Sequence, residues 1–228
     1  MTTAPESSAA PAPKNLVARF VGVIVSPQET FKSVVAHPKW LGMLAVITLF
    51  LTLATTAFLS TEVGRNALLD QQIAQMEQGI GIAAYFGGAA QLVTVPIVYV
   101  IMAGILFAIF NAGMGGTATF KQVFAVVVHA GAVSVVQQAF AMPLNYMRES
   151  MASPTNLASL LPMLPEGGFL TYLLGAIDVF IIWWVFVLAI GLAVLYKRRT
   201  QPVAVTLFSI YGVIALIIAT VRTFMGGS

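Results

Sequence analysis

Asp178 is the only acid within an apolar run of this chain. A carboxyl group at the centre of a bilayer costs about 2.5–3.5 kcal/mol on insertion scales, so in that setting it marks an ion path or proton relay. Its depth depends on where its helix starts. A helix of about twenty residues ending at Tyr196 begins at Ile177 and leaves Asp178 in the first turn, where the helix dipole and interfacial water favour a carboxylate. A helix that starts near Phe169 carries it deeper. The sequence favours the first, structural reading.

His129 lies eight residues beyond Lys121, about 12 Å along a helix. In a polar cavity its ring would carry a proton or bind a metal. The simpler role is a hydrogen bond to a neighbouring carbonyl or hydroxyl. The chain has no cysteine, and His37 is its only other histidine, so a transition-metal site would need carboxylates or methionines from elsewhere. No metal and no cofactor is expected, and the ten scattered methionines read as packing residues. Gln137, Gln138 and Asn145 continue the same helix. Hydrogen bonds between helices, about 0.6 kcal/mol each, account for them. A solute pathway, if the protein has one, would run along His129, Gln137 and Asn145 towards Asp178. No G-x-S-x-G, H-E-x-x-H or phosphate-binding glycine loop with lysine is present, so no enzyme activity is expected.

The densest charge in the chain is Lys197-Arg198-Arg199, between the apolar runs 169–196 and 203–221. So short a link must be a tight turn between two spans, and its cations hold it on the cytoplasmic side. With Lys32 and Lys39 it would contact anionic lipid headgroups, at about 1 kcal/mol per charge, or a membrane partner. The plainer role for these cations is to anchor topology.

The elements that position these residues follow from composition. Of the 228 residues 59% are hydrophobic and 8% charged, with a mean hydropathy of +0.92. Soluble domains carry about 25% charged residues, so the solvent of this chain is lipid. A small net charge of +3 on one side speaks of headgroups and not of nucleic acid. Residues 1–13 read as a disordered tail, and 14–40 as an amphipathic interfacial segment of two short helices, the second opened by a Ser26–Glu29 capping box. Residues 41–221 read as five transmembrane helices, and 222–228 as a short tail. The spans are expected at Leu41–Ser60, within Tyr85–Phe110, at about Phe120–Tyr146 behind a Thr119–Gln122 capping box, and on either side of the basic turn. Pro96 should kink the second, and Gly104 with Ala108 offers another helix a close approach. Leu69, Ile73, Met76 and Ile80 recur at helical spacing after the first span. The fold class is therefore all-α, an integral membrane bundle of five helices with an amphipathic N-terminal collar. Eight inner cations against three outer ones set the N-terminus in the cytoplasm and the C-terminus outside.

Three stretches carry a family resemblance: Ser26-Pro27-Gln28-Glu29-Thr30-Phe31, the run Thr119–Val127, and Gly191-Leu192-Ala193-Val194 followed by Ala204 and the last span. Over residues 15–221 the chain resembles bacterial Yip-domain proteins. The resemblance implies a five-helix protein of the bacterial inner membrane, with eukaryotic relatives that associate with Rab-type GTPases. The eukaryotic signature before the first span is not evident, so GTPase binding is not carried over. The expected role is a non-enzymatic scaffold or adaptor that binds lipids and membrane proteins or a second copy of itself. The alternative is a transporter or channel for a small solute or ion.

Overall fold

A computed structural model describes residues 12–77, 88–161, 163–165 and 167–226, and every regular element among them is helical. Most of the expected tail 1–13 and the expected positions Ile80 and Tyr85 lie outside the described residues.

Helix α1 (Leu16–Val25) starts where the Asn15 side chain accepts the Ala18 N–H at 2.8 Å. Helix α2 (Pro27–Ala36) follows after one residue. Ser26 does not cap it as expected. Its hydroxyl donates back to the Gly22 carbonyl at 3.4 Å, and Glu29 pairs with Lys32 at 2.7 Å. A single residue must end one helix and begin the next, and its hydroxyl serves the first. The two helices close on each other at Gly22, where a Cβ would fall on the Thr30 hydroxyl. Thr30, Phe31, Ser33 and Val34 are buried as α2 packs on the helices Phe120–Ala130 and Val179–Leu195. The N-terminal pair is thus built into the bundle, while Val17, Val21 and Val25 leave an exposed apolar stripe along α1.

Helix α3 (Leu41–Ser60) turns at Thr61 into α4 (Glu62–Glu77), the helix expected from the Leu69–Ile73 spacing. Gly64 is required at that corner because a Cβ would meet the Phe58 carbonyl. Helix α5 (Gln91–Phe107) contains Pro96 and runs on through a π turn, Ala108–Gly113. Among the described residues nothing lies within 4 Å of a Cβ built on Gly104, so none of them makes the close approach expected there. Helices α6 (Phe120–Ala130) and α7 (Ala132–Met147) join at Gly131, against which the Tyr99 ring closes. The Thr119–Gln122 capping box opens α6 as expected. From Val123 to Ala130 every residue of α6 is buried, which makes it the central helix.

The expected fourth span is two helices, α8 (Phe169–Ala176) and α9 (Val179–Leu195), separated by extended backbone at Ile177 and Asp178. Helix α10 (Thr200–Gly226) packs along both. It continues past the expected end at Val221, and Arg222 lies 6.0 Å over the Tyr172 ring of α8. Its length is about 40 Å against a hydrocarbon core of about 30 Å, whereas α9 alone reaches about 26 Å.

Among the described residues four helical stretches are long and apolar enough to cross a membrane: Leu41–Ser60, Gln91–Gly113, Phe120–Met147 and Thr200–Met225. Leu53, Ile97, Ile101 and Ile217 on these helices face outward and are more than half or about half exposed. A surface this apolar suits hydrocarbon, because the helices satisfy their own backbone hydrogen bonds.

Candidate functional site

Asp178 is the N-cap of α9 and is 2% exposed. Donors converge on both of its carboxyl oxygens. Oδ1 accepts the backbone N–H groups of Phe180 and Ile181 at 2.8 and 3.4 Å. Oδ2 accepts the hydroxyls of Ser153 at 2.5 Å and Thr155 at 2.6 Å. The backbone freed by the helix break is also paired. Leu157 N–H donates to the Ile177 carbonyl at 2.9 Å, Val179 N–H to Thr155 at 3.3 Å, and the Tyr211 hydroxyl of α10 to the Ala176 carbonyl. A break in a membrane helix persists only where the released groups find partners, and the 153–157 loop supplies most of them. The carboxyl group therefore works as a clasp between that loop and α9.

None of the polar residues of the third span hydrogen-bonds to it among the described residues. His129 is fully buried, and its Nδ1 donates to the Ala125 carbonyl at 2.7 Å, one turn back on its own helix. Its Nε2 has no hydrogen-bond partner among the described residues, and neither does Asn145 Oδ1. Gln137 is half-buried. His129 lies about 14 Å along α6 from the end where the basic turn sits, and Asp178 about 26 Å along α9 from that same end.

The basic turn is held from several sides. Helix α9 ends with Arg198 N–H on the Ala193 carbonyl at 2.9 Å and Lys197 N–H on Val194 at 3.4 Å. This paired closure needs a left-handed residue and usually takes glycine; here it is Lys197, at φ +52°. Tyr196 stacks on Phe110 at 5.2 Å, and its hydroxyl donates to Asn111 Oδ1 at 2.8 Å. Asn111 Nδ2 in turn donates to the Ala118 carbonyl at 2.7 Å, and Arg198 Nη2 to the Met114 carbonyl at 2.7 Å. Between the turn, the 115–118 loop, Gln122 and Val35 lies a cavity of about 350 Å³. Lys197 and Arg198 line it, and Arg199 is exposed in the same turn. Lys32 is occupied with Glu29 on the surface of α2, and the Lys39 carbonyl accepts Arg19 Nη1 at 2.9 Å.

Sequence reasoning counted Arg19 only as an inner charge. It is 9% exposed, and its Nε also donates to the Lys14 carbonyl, at 2.8 Å. It thus ties the chain entering α1 to the start of α3. A single charge inside an eleven-residue apolar stretch was the available signal. Asn111, Tyr196 and Gln122 carried none that distinguished them from ordinary cap and turn residues.

Long apolar helices with outward-facing leucine and isoleucine define an α-helical integral membrane protein. The family model for the Yip1 domain matches residues 21–222, and the chain belongs to that family. No curated protein and no solved structure matches it.

Proposed function

We propose that the protein is a non-enzymatic membrane scaffold or adaptor that holds anionic lipid and membrane-protein partners at its basic end. In this reading the α8–α9 pair completes a fifth crossing, the basic end faces the cytoplasm of a bacterial inner membrane, and the C-terminus lies outside. The N-terminal pair then sits at the headgroup level, with Val17, Val21 and Val25 turned towards lipid.

One observation carries the proposal: the basic turn, the 114–118 loop and the end of α2 meet around one cavity. Contacts from Arg198 to Met114 and from Gln122 to Val35 fix its walls. The transporter reading has less support, because Asp178 spends its acceptors on a loop and on its own helix, at a different level from His129.

The test is replacement of Lys197, Arg198 and Arg199 together by glutamine in the full chain. Retained anionic lipid and co-purifying membrane proteins should both fall. Unchanged lipid and partners would count against the proposal. Reporter fusions at the two termini that fall in the same compartment would refute the five-span arrangement.

A further inference from the structure

We infer that the cavity behind the basic turn is a binding site for a phosphate-bearing anion, held by Lys197 and Arg198 with Gln122 and Thr117 at its wall. The inference deepens the adaptor reading and rests on it for which end of the bundle meets the cytoplasmic headgroups.

Charge is the first reason. Among the described residues no carboxylate lines this cavity, and the one ion pair there, Lys32–Glu29, lies on the surface of α2. The side chains of Lys197 and Arg199 have no protein partner among the described residues, and Arg198 uses only Nη2, on the Met114 carbonyl. That bond fixes the guanidinium while its other donors stay available. A planar fork held in place suits a phosphate group better than a freely moving charge does. Cations gathered without a counter-charge attract an anion, and a recess between protein walls strengthens the attraction.

Position is the second reason. The walls are the residues just past the second span, the opening turn of α6, the end of α9 and Val35 of α2. Ends of three helices that enter the bundle at one level mark the membrane interface, the level of lipid phosphates. At about 350 Å³ the cavity falls at the small end of ligand sites. It accommodates a headgroup-sized anion, and the same chemistry would accept a soluble phosphate compound from the aqueous side.

Lys197 provides a test that separates binding from folding. Its left-handed backbone suits glycine, so Lys197→Gly removes the charge and relaxes the turn at once. The control is Lys121→Gln, which removes one charge from the exposed first turn of α6, outside the cavity lining. Full-length protein would be placed in nanodiscs of zwitterionic lipid and titrated with inorganic phosphate, and separately analysed for retained phosphatidylglycerol by native mass spectrometry. Lys197→Gly should weaken phosphate binding or phosphatidylglycerol retention about fivefold or more, with an unfolding temperature equal to or above wild type. Lys121→Gln should change neither. Loss of retained phosphatidylglycerol identifies a lipid source, and loss of phosphate binding alone identifies a soluble one. Equal losses in both variants, or none in either, would overturn the site. Wild-type anion binding in Lys197→Gly, with partner capture lost when Lys197, Arg198 and Arg199 are all replaced by glutamine, would sink the site and leave the adaptor reading standing.

Discussion

Removal of the Asp178 side chain tests the account of the break between α8 and α9 most directly. In Asp178→Ala four donors lose their acceptor: the hydroxyls of Ser153 and Thr155 and the N–H groups of Phe180 and Ile181. Loss of an N-cap costs about 0.5–2 kcal/mol. A hydrogen bond to a carboxylate contributes about 1.5–3 kcal/mol, of which a hydroxyl near the interface recovers part by bonding water. The sum is a destabilisation of about 3–5 kcal/mol. Asp178→Asn keeps an acceptor for the helix N–H groups, and the two hydroxyls can turn to accept from its amide. Its cost should be about 1–2 kcal/mol. Thermal unfolding in nanodiscs would rank the three proteins as wild type, Asn, then Ala, and limited proteolysis would find the 150–161 loop cut fastest in the alanine variant. If Asp178→Ala unfolds like wild type and its loop resists protease equally, the carboxyl group does not hold the loop. A solute flux lost in Asp178→Asn at unchanged stability would instead restore the pathway role.

Two further substitutions probe the packing that frames the basic end. Gly191→Val should destabilise by about 1–3 kcal/mol, since overpacking a filled core forces its neighbours to move: a Cβ there already falls 2.6 Å from a Val126 methyl carbon and 2.9 Å from the Phe31 ring. Loss of thermal stability in detergent would be the readout, and a wild-type value would mean that α2, α6 and α9 meet less closely than described. Arg19→Met removes the donors on the Lys14 and Lys39 carbonyls; amide exchange over residues 16–36 should rise about tenfold or more while α6 stays protected.

Much of the molecule is local, and the sequence states local things well. Low charge and long apolar runs fix lipid as the solvent, because a chain with so few charges cannot cover a water-facing surface. Thr119 and Gln122 declare the start of α6, since a capping box closes within three residues. The basic turn, the helix at Leu69–Ile73 and the Yip-type stretches are equally local. The helix break was hidden: hydropathy reads 169–196 as one apolar run, while the hydroxyls that make the break affordable lie 23 and 25 residues upstream. Ser26 could cap either of two helices, and packing chose between them.

Tertiary structure alone decided the rest. Residues about 85 positions apart, Asn111 with Tyr196 and Met114 with Arg198, meet to build one wall of the cavity. The N-terminal pair enters the core instead of lying wholly on the surface because Gly22 and Gly191 admit Thr30 and Phe31 at distances no side chain would allow. Such contacts depend on which helices become neighbours. Composition and periodicity report only which face of each helix avoids water, and in a membrane almost every face does.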